Sequence, residues 1–308
     1  MIETNPLYAG TRLPLLSAIR GHAQTLLPYF FHRVNLPKAR RIEIPLRDGD
    51  FVDADLRMSD SKGLAILSHG LEGNSDSVYI RSITRSYLSK GWDVLAWNFR
   101  GCSGRLNRLQ RLYHSGAIED LQDVVAYASE NLQASRIQLT GFSLGGNLTL
   151  LCIGKKSDWL IEKGVVSCLA VSVPLNLAAS SRKLNRWWNA MYQQRFLSDL
   201  KNKILFKEKQ FPGHYPISGI RQTKTLAEFD NQCTAPLHGF RGADDYYQKC
   251  SSLHVLSDIR IPTLIIIAKN DPMLARGNYA EAMEMNKRVR FILTDEGGHC
   301  GFRGMGFW

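Results

Sequence analysis

The stretch RIQLTGFSLGGNL, residues 136–148, decides the fold of this chain. Its first half reads as a short β-run, the pattern Gly141-x-Ser143-x-Gly145 follows, and apolar residues at helical spacing begin at Leu144. A serine placed between a strand and a helix must occupy a strained tight turn, with its hydroxyl projecting from the strand tip. Gly141 and Gly145 leave room there, because a side chain at either position would crowd the neighbouring backbone. The pentapeptide alone recurs by chance in unrelated chains. The strand before it and the helix after it give it weight.

Outward from this segment, short β-like runs alternate with longer helical patterns. That alternation predicts an α/β fold with a mainly parallel central sheet flanked by helices. Residues 41–46 and Phe51–Arg57 flank Asp48-Gly49 as a hairpin. Leu64–Ser68 and residues 94–98 read as buried strands, residues 79–89 and Ile118–Asn131 as helices. Residues 165–173, Thr263–Ala268 and residues 290–293 supply the later strands. The region from about 175 to 256 interrupts the alternation. Its aromatic residues (Trp187, Trp188, Tyr192, Phe196, Phe206, Phe211) predict a helical cap folded onto the sheet, within one domain spanning 1–308. No internal repeat is present, and no apolar run approaches the roughly 18 residues of a membrane span.

A serine hydroxyl is a weak nucleophile at neutral pH and needs a base and an orienting acid. In this strand-serine-helix arrangement they follow in the order Asp or Glu, then His. Thr263–Ala268 runs into Lys269-Asn270-Asp271-Pro272, so Asp271 falls at a strand end. The last strand leads to Glu296-Gly297-Gly298-His299. His299 is therefore read as the base that takes the proton of Ser143, and Asp271 as the residue that fixes its tautomer. A developing oxyanion needs two backbone donors. They are assigned to the N–H groups of Leu144 and of Leu71, the latter in the loop Ser68-His69-Gly70-Leu71-Glu72-Gly73. His69 is read as supporting that loop and His114 as packing beneath it. Asp244-Asp245 has no strand before it and is rejected as the acid.

The chain has 308 residues, 44% hydrophobic and 22% charged, an ordinary globular mixture with a net charge of +11. Between residues 182 and 221, nine basic residues face only Asp199 and Glu208, so this window holds +7 of the total. A local basic patch suits an anionic surface such as phospholipid headgroups. The six cysteines show no C-x-x-C pair, and the remaining histidines lack ligand spacing, so neither metal nor disulfide framework is expected. The opening residues lack the basic start and continuous apolar stretch of a secretory signal, which predicts a cytoplasmic protein.

The runs HGLEGNSDSVYIRSI (69–83), NFRGCSGRLNRLQRLYHSGAIED (98–120) and GFSLGGNL (141–148) resemble the YheT-like branch of the α/β-hydrolase superfamily. PLHGFRGADDYYQKCSS (236–252), EGGHCGF (296–302) and GHAQTLLP (21–28) extend the resemblance along nearly the whole chain. It implies a serine esterase or lipase-like hydrolase with a helical cap. Related eukaryotic members act on medium-chain acyl esters or phospholipids, and some make esters by acyl transfer to an alcohol. Residue by residue, the family's triad falls on Ser143, Asp271 and His299, with oxyanion donors at Leu71 and Leu144. The sequence departs from the pattern at its end. Nine residues follow His299, where the fold ordinarily adds a last helix over the sheet, so either the chain is truncated or that face is covered in another way.

The expectation is a carboxylic ester hydrolase working through an acyl-enzyme, with no metal and no organic cofactor. Its partners would be a small-molecule acyl ester and, peripherally, an anionic membrane surface. An acyltransferase using the same acyl-enzyme is the alternative. A non-catalytic binder that kept the fold is the third reading. Nucleic acid is not expected as a partner, since the basic stretch lacks the spaced aromatic and glycine pattern of an RNA-binding sheet.

Overall fold

The computed structural model describes residues 15–59, 62–275 and 279–302. A helix, α1 (Leu15–Phe31), leads into the hairpin β1 (Arg40–Pro45) and β2 (Phe51–Arg57), turned at Gly49 with φ +85°. Strands β3 (Leu64–Ser68), β4 (Asp93–Trp97), β5 (Ile137–Phe142) and β6 (Val165–Val171) alternate with helices α2 (Val78–Ser89), α3 (Ile118–Asn131) and α4 (Leu144–Glu162). A helical segment follows: α5 (Leu177–Leu184), α6 (Ala190–Gln210), α7 (Ile217–Gln222), α8 (Leu226–Phe229), α9 (Ala235–Leu237) and α10 (Ala243–Cys250). Strand β7 (Thr263–Ala268), helix α11 (Tyr279–Glu284) and strand β8 (Val289–Thr294) complete the described elements.

The eight strands form one sheet in the order β1-β2-β4-β3-β5-β6-β7-β8. The β1–β2 and β2–β4 pairs are antiparallel, and every pair from β4 to β8 is parallel. Alternate residues of β3 serve opposite faces, as strand geometry requires. Leu64 and Ile66 join the core under α3 and α4, while Ala65 and Leu67 join the one under α2. Burial of both faces explains the unbroken apolar runs in the sequence.

Two expectations need correction. Strand β6 stops at Val171 and not at 173, because Ser172 turns to φ +52° and its N–H bonds to Ile266. The aromatic residues between β6 and β7 do not all pack inward: Tyr192 is buried, but Trp187 is 83% and Phe206 55% exposed. The departure noted after His299 falls on residues 303–308, which lie outside the described residues. Among the described residues no helix is long and apolar enough to cross a membrane.

Candidate active site

In a parallel sheet, loops at the carboxyl ends of neighbouring strands converge on one edge. Here the ends of β3, β5, β7 and β8 deliver Leu71, Ser143, Asp271 and His299. Ser143 sits between β5 and α4 at φ +52°, a conformation uncommon outside glycine. The close approach that sets this angle requires Gly145. A Cβ there would stand 2.6 Å from the Ser68 carbonyl oxygen, at the end of the adjacent strand.

The Ser143 hydroxyl lies 2.8 Å from His299 Nε2, and His299 Nδ1 lies 2.8 Å from Asp271 Oδ2. Asp271 is buried, and its other oxygen accepts the N–H groups of Met273 (2.8 Å) and Leu274 (3.2 Å). A carboxylate so held accepts the Nδ1 proton, leaving Nε2 unprotonated toward the serine. The structure thus brings together the three side chains predicted from sequence.

The loop after β3 passes directly beside Ser143: a Cβ on Gly70 would lie 3.1 Å from the serine Cβ. Its peptide groups are pinned on both sides of Leu71. The Gly70 N–H donates to the Tyr79 hydroxyl (2.9 Å). The Glu72 N–H donates to the Tyr113 hydroxyl (3.0 Å). His69 Nε2 accepts the Phe99 N–H (3.0 Å), so its Nδ1–H donates to the Gly70 carbonyl (2.7 Å). Burial pushes the His69 pKa down to about 3, against the raising effect of that carbonyl bond, so the ring stays neutral. In a trans peptide the C=O and the following N–H point opposite ways. Anchoring the Gly70 carbonyl therefore aims the Leu71 N–H away from His69. Neither the Leu71 nor the Leu144 N–H donates to an acceptor among the described residues.

His114 packs against His238, Phe240 and Tyr246. Asp245 is held on α10 by Arg241 and Lys249, away from the serine's hydrogen-bond partners. Among the described residues no group of three or more His, Cys, Asp or Glu is placed to hold a metal ion.

Several supporting residues carried no role in the sequence reading. The Asn270 side chain accepts the N–H groups of Gly297 (3.0 Å) and Gly298 (2.9 Å), tying the Asp271 loop to the His299 loop. Helix α1 closes over both. Gln24 accepts from Asn270 Nδ2 (2.9 Å) and from the Gly297 N–H (3.0 Å), and Thr25 Oγ1 accepts the His299 N–H (2.9 Å). Gly21 is needed for this approach, because a Cβ there would collide with the Asn270 carbonyl. From α5, Lys183 donates to the Asp271 (2.9 Å) and Leu274 (2.5 Å) carbonyls. From α6, Lys203 pairs with Glu72 at 2.8 Å. The stretch GHAQT (21–25) was visible in the sequence, but nothing there says what it touches.

Part of the basic window turns inward. Lys183, Lys201, Lys203 and Lys207 all bond to backbone carbonyls or to Glu72 inside the protein. Arg182, Arg186 and Arg195 remain exposed.

Two clefts meet at Ser143 and His299. One encloses about 720 Å³, a volume that includes the open solvent at its mouth. Leu177, Leu184, Phe196, Leu200, Leu226 and Met273 line it. The other is lined by Thr25, Tyr29, Asn74, Asp76, Arg195 and Asp199.

Residues 66–303 match the family described as alpha/beta hydrolase fold. The chain is 34% identical to YheT of Escherichia coli (strain K12), over 95% of this chain and 87% of that protein. It is 26% identical to the monoacylglycerol lipase of Saccharomyces cerevisiae, over 81% of this chain and 57% of the lipase. Among solved structures, the Pyrococcus furiosus esterase Pf2001 superposes with a TM-score of 0.56 at 18% identity, covering 85% of this chain and 88% of that one.

Proposed function

Because the chain belongs to the alpha/beta hydrolase fold family and is an ester hydrolase, we propose that it is a serine hydrolase cleaving carboxylic esters of acyl chains through an acyl-enzyme. One observation carries the reading. Ser143, strained at the strand tip, donates to His299, and His299 to Asp271, where an apolar and a polar cleft meet.

In this reading Ser143 Oγ attacks the acyl carbonyl carbon while His299 Nε2 takes the hydroxyl proton. Asp271 keeps the imidazole oriented and stabilises its protonated form. The carbonyl oxygen becomes an oxyanion that accepts from the Leu71 and Leu144 N–H groups. Collapse breaks the bond to the alcohol oxygen, which leaves with the proton from His299. Water then attacks the acyl-serine, again giving its proton to His299; collapse breaks the bond to Ser143 Oγ, which takes that proton back as the acid departs. The apolar side chains of the first cleft suit the acyl chain. The second cleft, with Tyr29, Asp76, Arg195 and Asp199, suits the alcohol half. The helical segment from about 175 to 256 acts as the cap, since α5, α6 and α8 furnish Leu177, Leu184, Phe196, Leu200 and Leu226 of the acyl cleft, within a single domain.

The test is labelling with a fluorophosphonate probe, located by mass spectrometry, with Ser143→Ala as control. Labelling at Ser143 that disappears in the control supports the reading. An unlabelled but folded protein overturns it. Product analysis in ethanol separates hydrolysis from acyl transfer: free acid supports hydrolysis, and a dominant ethyl ester assigns the acyltransferase alternative.

A further inference from the structure

Helix α1 has two faces. At 100° per residue, Gly21, Gln24 and Thr25 fall on one side, the side that grips the Asp271 and His299 loops. Leu16, Ile19, Leu27 and Phe30 fall on the other, and Phe31 is the last residue of the helix. All five are exposed, Phe31 to 78%. A helix that contributes to a globular core buries its apolar stripe; this one turns its stripe to solvent and uses its small and polar residues to pack.

The apolar ridge continues onto the cap. Leu15 and Ile19 share a cleft with Arg182, Arg186, Trp187 and Trp188. Arg186 lies 5.8 Å from the Trp188 ring centre, and at the other end of the helix Arg195 lies 4.6 Å from that of Tyr29. Helix α1 contains no acidic residue. Around the ridge stand Arg20, Arg33, Arg182, Arg186 and Arg195 against Glu296, which pairs with Arg20, and Asp199 near Arg195. Large apolar side chains standing proud, Trp and Tyr beside them, and an arginine excess at the rim match an amphipathic helix lying in a lipid interface. A protein partner would more readily find pockets for its anchor residues.

We propose that the outward face of α1, with Trp187 and Trp188, docks the protein on an anionic phospholipid surface, its apolar residues entering the acyl boundary and its arginines meeting the headgroups. Tyr29 and Arg195 line the second cleft at Ser143, so docking sets that cleft against the lipid. Docking stands apart from the acyl-enzyme chemistry, whereas the lipid ester it implies as substrate rests on that reading.

The experiment is flotation of the whole chain with vesicles of phosphatidylcholine alone and with about 30% phosphatidylserine, at low and high salt. The expected result is binding to the anionic vesicles that falls steeply with salt. Ile19→Ser combined with Phe30→Ser and Trp187→Ser should weaken it at least tenfold, while turnover of a soluble short-chain ester stays unchanged. Intact soluble turnover in the wild type separates a failure of docking from a failure of the hydrolase reading. The proposal is overturned if the wild type ignores anionic vesicles or if the triple variant binds them equally well. It is also overturned if sedimentation shows a dimer that the same substitutions dissociate, or if deleting residues 1–14 uncovers binding that the full chain lacks.

Discussion

Lys203→Met tests whether the cap holds the oxyanion loop. Lys203 reaches from α6 to Glu72, the residue after Leu71, at 2.8 Å, with side-chain exposures of 8% and 7%. Glu72 Oε1 also accepts from the Tyr113 hydroxyl at 2.6 Å. Burial opposes the lysine's charge, but the Cys102 sulfur and the Glu72 carboxylate outweigh it and hold its pKa above the ordinary value. Removing the ammonium leaves a buried carboxylate with a single hydroxyl donor. Breaking a buried pair from one side costs about 3–5 kcal/mol, and urea denaturation should register a loss of that size. If Glu72 relaxes toward water, the Leu71 N–H moves with it. Losing one oxyanion donor lowers kcat about 10²–10³-fold, and KM should change far less. The double variant with Glu72→Gln removes the orphan charge and should recover most of the stability. A single-variant loss under about 1 kcal/mol, the size of an exposed pair, would refute the reasoning. So would a double variant no more stable than the single one.

Three further outcomes follow from the same geometry. Thr25→Val removes the acceptor of the His299 N–H; steady-state kinetics should show kcat falling about tenfold or more with KM nearly steady, and Thr25→Ser restoring it, an outcome an inert Thr25 would not give. Gly145→Ala drives a Cβ against the Ser68 carbonyl, and circular dichroism with probe labelling should find the protein destabilised and Ser143 unreactive. Asp230 lines the apolar cleft, and desolvation pushes its pKa up from 3.8 to about 6 despite lowering bonds from Thr234 and Tyr247. The folded state then holds a proton the unfolded chain has released, so this group's contribution to stability falls as pH rises from about 4 to 6. Urea midpoints should show that slope reduced in Asp230→Asn.

The inner strands β3, β4 and β7 were readable because they are buried on both faces and so appear as short, mostly apolar runs between helical periods. Thr263–Ala268 and Ile118–Asn131 begin and end where the pattern places them. Ser143, Asp271 and His299 were legible for a related reason. Ser143 follows its strand at once, and Asp271 and His299 lie in the loops that leave β7 and β8, so locating the strand end narrows the search to a few residues. Exposure within the cap was not legible. Trp187 and Tyr192 are both aromatic and five residues apart, yet one lies in solvent and the other stacks on His22 of α1. Composition predicts that aromatic residues bury; only the position of α1 says which ones.

The same distinction separates what the sheet supplies from what holds it in register. Parallel strands bring Ser143, Asp271 and His299 to one edge, but strand pairing ends at Phe142–Val171 and Ala268–Thr294, short of all three. Beyond those pairs, the loops are aligned by contacts from distant chain segments: Gln24 and Thr25 of α1, Lys183 of α5 and Lys203 of α6. Each contact is one polar side chain meeting backbone groups or one carboxylate across more than eighty residues of sequence. Such pairs have no local period, so pattern reading passes over them. Hydrogen-bond geometry at 2.5–3.0 Å is nevertheless what a serine, a histidine and two amides need to act on one carbonyl carbon. Strand order makes the chemistry available in this chain. The helices on either side of the clefts determine how closely it is aligned.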